Sequence, residues 1–114
     1  PLIFAWWGTG VECVSALARL ERQGAISPVS LTEALKRLRA LKSGWQEVQP
    51  VEALKETAIR LLRVHNLRAA DSLQLAAAIL ASDHRPSSLD FVCFDERLTT
   101  AAQREGFNVI VPGR

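Results

Sequence analysis

Leu67-Arg68-Ala69-Ala70-Asp71-Ser72-Leu73-Gln74-Leu75-Ala76-Ala77-Ala78-Ile79-Leu80 is the stretch on which the fold turns. From Leu73 onward it reads as a helix with almost no polar face. Leu73, Ala76, Ala77 and Leu80 form one stripe, and Leu75, Ala78 and Ile79 fill most of the remainder. A helix apolar nearly all round has to be covered by protein on most sides, which makes it the expected centre of the molecule. One carboxylate, Asp71, stands at its head, with Arg68 before it. An acid at the start of a buried helix is either a cap for that helix or part of a site.

Outward toward the amino terminus, Leu2 to Trp6 is a short apolar run with the character of a covered strand, broken by Gly8-Thr9-Gly10. Val11 to Arg22 then carries apolar residues at Val11, Val14, Leu17, Ala18 and Leu20, a helical pattern closed by Gly24. Thr9 to Glu12 has the form of a capping box, as does Ser30 to Glu33, which opens a helix with Leu31, Leu35 and Leu38 inward and Gly44 at its end. Trp45 to Gln49 is compatible with a short strand, and Pro50 suits a helix start. The next helix has Val51, Leu54, Ala58, Leu61 and Leu62 on its apolar side, and His65-Asn66 reads as the turn into the central helix.

On the other side, the central helix fades at Ser82-Asp83-His84-Arg85-Pro86. Leu89 to Phe94 is a short apolar strand ending at Asp95. Glu96 to Glu105 has Leu98, Ala101 and Ala102 inward and Gly106 after it, and Phe107 to Val111 is a last strand stopped by Pro112. Strands alternating with helices, each strand a near-continuous apolar run, predict an α/β fold: a parallel sheet with helices on both faces. With no repeat, low-complexity tract or linker, residues 1–114 read as one domain.

Composition narrows the class. The chain is 48% hydrophobic and 23% charged, with a formal charge of +2, a balance that permits an anionic partner without demanding one. Cys13 and Cys93 fit neither metal-ligand spacing nor a disulfide framework and are expected as buried free thiols in a reducing cytoplasm. No stretch approaches the ~20 apolar residues of a membrane span, so no membrane partner is expected. The opening Pro1-Leu2-Ile3-Phe4-Ala5-Trp6-Trp7 lacks Met and enters directly into an apolar strand, and the expectation is that an upstream part precedes it.

In a parallel sheet of this kind ligands lie outside the carboxyl ends of the strands. Asp95 follows the strand through Phe94, Glu12 lies in the first turn after the strand ending near Trp6, and Asp71 heads the central helix. Carboxylates without His or Cys suit Mg²⁺ or Mn²⁺ more than zinc, and such cations serve phosphodiester hydrolysis. Each acid also has a simpler reading. Glu12 is the last member of a capping box, and Asp71 and Asp95 stand where an N-cap Asp would stand. Arg60, Arg63, His65 and Arg68 lead up to Asp71; they fit either a phosphate backbone or an exposed helix face with one Arg paired to an acid. The other acids, Glu105 among them, read as solvated helix faces, and both histidines as turn residues.

The order of these motifs resembles the PIN-domain family, and within it the VapC-like toxin ribonucleases of type II toxin–antitoxin pairs. The resemblance runs through Val11-Glu12-Cys13-Val14-Ser15-Ala16-Leu17, the block around Asp71, and Phe94-Asp95-Glu96-Arg97-Leu98 with Ala101-Ala102 and Glu105-Gly106-Phe107. It implies a Rossmann-like three-layer fold and a metal-dependent endoribonuclease using Mg²⁺ or Mn²⁺ to activate water. Glu12, Asp71 and Asp95 would be catalytic residues and metal ligands, with Arg68 and Arg63 on the RNA. The partners implied are RNA, a cognate antitoxin protein and a second copy in a homodimer. In the family a first acid ends a first strand that is followed by two helices; no residues here match that part, so the expected form is a PIN-like fold with its first strand and following helices missing. The alternative is a catalytically inactive PIN fragment keeping only antitoxin, RNA or self-association. Cys93 stands where the family often has a hydroxyl residue.

Overall fold

The computed structural model describes residues 2–113, so Pro1 of the opening run lies outside the described residues. Strand β1 is Phe4–Trp6, helix α1 Thr9–Arg22, helix α2 Pro28–Gly44 and strand β2 Gln46–Val48. Helix α3 is Glu52–Val64 and helix α4, the central stretch, is Ala69–Ala81. A short 3₁₀ turn at Pro86–Ser88 leads into β3, Asp90–Val92; helix α5, Glu96–Arg104, and β4, Asn108–Ile110, complete the order. This is a mixed α/β chain. Among the described residues the strands form two two-stranded sheets, β1 with β2 and β3 with β4. Among the described residues no helix is long and apolar enough to cross a membrane.

The chain divides into two compact units, one reaching Glu47 and the other starting at Val48. In the first, α1 and α2 pack on each other, and Gln46 N donates to Ile3 O at 2.8 Å. Its interior is small: Trp6 and Gly10 are buried, and no residue of α2 is. Val11 and Val14, expected inward, are exposed at 71% and 43%, while Leu31, Leu35 and Leu38 are half-buried. Two helices and a strand pair offer too little surface to enclose a full apolar stripe. Neither expected capping box forms as read. Thr9 is the first helical residue of α1, after Gly8, and Ser27 caps α2 by accepting from Ser30 N at 3.1 Å, with Pro28 following it. Pro28 explains the earlier start, because its fixed φ suits the first helical position.

The second unit holds most of the core: Leu54, Ala58 and Leu61 from α3, Leu75, Ala76, Ala77 and Ile79 from α4, and Leu98, Ala101 and Ala102 from α5. Helix α4 packs against both α3 and α5. Its buried residues are Ser72, Leu75, Ala76, Ala77 and Ile79: of the expected stripe Ala76 and Ala77 are buried, while Leu73 and Leu80 are half-buried and the line has turned toward Ser72 and Leu75. The hydroxyl of Ser72 tolerates burial because it donates to Ala69 O at 2.7 Å. Leu62 and Val51, expected inward, are exposed.

Strands β3 and β4 are parallel, with Asp90, Phe91 and Val92 opposite Asn108, Val109 and Ile110. A parallel pair needs a crossover, and α5 supplies it. One face of the pair carries Phe91, whose ring lies 5.5 Å from that of Phe107. The other face leaves Val92 60% and Ile110 43% exposed, so helices on both faces are not found for this pair. Cys13 and Cys93 are free thiols, half-buried rather than buried.

Candidate functional site

Asp95 follows β3 and caps α5: its Oδ1 accepts from Leu98 N at 2.9 Å. Just before it, Cys93 Sγ lies 3.0 Å from Thr99 Oγ1, tying the strand end to the first turn of the helix. Asp71 sits three residues into α4 after the N-cap residue Arg68, and its Oδ2 accepts from Arg68 N at 3.4 Å. That length lies beyond the ordinary range, so Asp71 holds its helix less firmly than Asp95 does. Glu12 occupies the first turn of α1, in the other unit. All three acids therefore lie at helix amino termini, where exposed N–H groups and the helix dipole favour negative charge. Carboxylates suit a hard divalent cation. Among the described residues, however, no three His, Cys, Asp or Glu side chains gather closely enough to hold a metal ion.

The basic residues divide. Arg63 is exposed near the end of α3, and Arg68 is exposed at the head of α4. Arg60 is drawn into an ion pair: Nη2 donates to Glu105 Oε1 at 2.9 Å and Nη1 to Oε2 at 3.3 Å. The same carboxylate receives a 2.7 Å hydrogen bond from His65 Nε2. An ionised carboxylate can only accept, which assigns the proton of that bond to His65. The Arg60 guanidinium, and after it the bond from His65, hold the Glu105 carboxyl below the ordinary glutamate range, although partial burial acts the other way. The His65 side chain is 4% exposed and that of Glu105 15%. Glu105 is thus no solvated face and His65 no mere turn residue.

Beside this cluster lies an open cleft of about 290 Å³, lined by His65, Asn66, Glu96, Arg97, Thr100, Ala101 and Arg104. Arg97, Thr100 and Arg104 stand at i, i+3 and i+7 on α5, one stripe of the helix. That spacing was visible in the sequence. The opposite wall was not, because it depends on His65 meeting Glu105 across 40 residues of chain.

A scan against protein-family models, a search of curated proteins and a search of solved structures each returned no match to this chain.

Proposed function

We propose that this chain is a PIN-like endoribonuclease domain of the toxin–antitoxin type, acting on RNA phosphodiester bonds. The observation that carries the reading is the placement of its acids. Glu12, Asp71 and Asp95, which match the family's pattern in order, each lie in the first turn or at the cap of a helix, and Asp95 lies three residues past the end of the parallel strand β3. The finer assignment of the α/β fold as PIN-like, the partnership with an antitoxin and pairing of two copies belong to the same proposal. What the chain's own residues contribute is two carboxylates, Asp95 held by Leu98 N at the start of α5 and Asp71 more loosely by Arg68 N at the start of α4.

The test is cleavage of a structured RNA in Mn²⁺ and in EDTA, beside Asp71→Asn. Cleavage that needs both the ion and Asp71 supports the reading; cleavage unaffected by Asp71→Asn sinks it. The helix-start bonds of Asp95 to Leu98 N and of Asp71 to Arg68 N favour a second reading, a PIN-like domain without catalysis that keeps RNA, antitoxin or self-association. It predicts no cleavage under any condition while RNA or a partner is still bound.

A further inference from the structure

We infer that the cleft along α5 is a phosphate-binding track for a single RNA strand, with Arg97 and Arg104 as its two anchoring cations. This rests on the ribonuclease reading only in naming RNA as the source of the phosphates. Three observations carry it.

The first is geometric. Arg97 and Arg104 lie two helical turns apart on one side of α5, about 10 Å along its axis, with the Thr100 hydroxyl between them. Both side chains are exposed, and among the described residues neither is in an ion pair. Two guanidinium forks in line, with a hydroxyl between, suit two phosphates of one backbone.

The second is electrostatic. Glu105 would cancel one of these charges were it unpaired, but Arg60 and His65 already engage both of its oxygens. Of the cleft's lining, Glu96 alone is acidic, and it stands at the start of α5, two turns from Arg104.

The third is rigidity. Glu105 ends α5 and His65 follows α3, so their 2.7 Å bond fixes one wall of the cleft to the other. A strand lying in the cleft meets a formed surface, and less ordering free energy is lost on binding. Arg97 is two residues from Asp95, so a backbone held along α5 runs toward the acid at the carboxyl end of β3.

Binding of a short single-stranded RNA lacking terminal phosphates is measured by fluorescence anisotropy, in EDTA so that no cleavage is involved. The double variant Arg97→Gln/Arg104→Gln is compared with Arg37→Gln/Arg39→Gln, which removes the same charge from exposed positions on α2. Loss of two phosphate contacts predicts binding about 20-fold weaker at about 0.1 M salt, and a salt slope shallower by about 1.4. The α2 pair is expected to change affinity less than about twofold. Equal losses in both variants, or none in the cleft variant, overturn the inference. Titration with pyrophosphate, followed by the Arg97 and Arg104 side-chain resonances, separates the sources. A response there without RNA binding assigns the cleft to a small phosphate and overturns the RNA track. A chain that binds through the cleft but never cuts keeps the track and loses the nuclease; one that cuts indifferently to Arg97 and Arg104 does the reverse.

Discussion

His65 and Glu105, 40 residues apart, share a 2.7 Å hydrogen bond that joins the end of α3 to the end of α5. Arg60 completes the cluster from α3. Because the His65 side chain is 4% exposed, removing its partner leaves a buried polar ring unsatisfied. Glu105→Ala is therefore expected to cost about 1–3 kcal/mol in urea denaturation near neutral pH. Exposed single ion pairs such as Lys55 with Glu52 contribute at most about 1 kcal/mol, and Glu52→Ala should be near neutral.

The same cluster sets part of the acid sensitivity. The folded-state pKa of Glu105 is depressed, first by Arg60 and then by His65. A depressed acid contributes stability that is fully present above its unfolded value and lost as pH falls through the folded value. Stability should therefore decline as pH drops from the ordinary glutamate range downward, and Glu105→Gln should flatten that decline. Denaturation midpoints across the acid range, wild type against variant, check this; parallel curves would exclude Glu105 as a contributor.

Asp95 has a structural role that must be separated from a chemical one. Asp95→Ala removes the bond to Leu98 N and is expected to cost about 1 kcal/mol, whereas Asp95→Asn keeps an accepting oxygen and should cost much less. If Asp95 serves RNA cleavage, both variants abolish activity although only one is destabilised. Activity that tracks stability across the pair would reduce Asp95 to a helix cap. The longer bond at Asp71 predicts a smaller stability change for Asp71→Ala than for Asp95→Ala.

Helix α4 ends in a left-handed turn built without glycine. Asp83, at φ 53°, has its N–H on Leu80 O, and His84, at φ 58°, has its N–H on Ile79 O. Helices α1 and α5 close with the same pair of bonds around Gly24 and Gly106. A side chain in the left-handed region costs about 1 kcal/mol, so Asp83→Gly is expected to raise the melting temperature by a few degrees. A lower melting temperature would show that the Asp83 side chain matters more than its backbone.

What was readable in the sequence was local. The order of the helices, the glycine ends after Arg22 and Arg104, the Leu98-Ala101-Ala102 stripe and Asp95 as a helix cap follow from short-range periodicity and backbone chemistry, whereas α1, α2 and α4 begin earlier than read, at Thr9, Pro28 and Ala69. The acids' positions at helix starts were readable for the same reason. Tertiary structure alone decided the rest. It rotated the buried line of α4 onto Ser72 and Leu75, because contact with α3 and α5, rather than hydropathy, selects which side of an all-apolar helix faces inward. It left Val11 and Val14 exposed, because two helices cannot enclose each other. It also turned Glu105 from an expected surface acid into the partner of Arg60 and His65, a pairing that no spacing along the chain encodes, since it exists only where the ends of α3 and α5 meet.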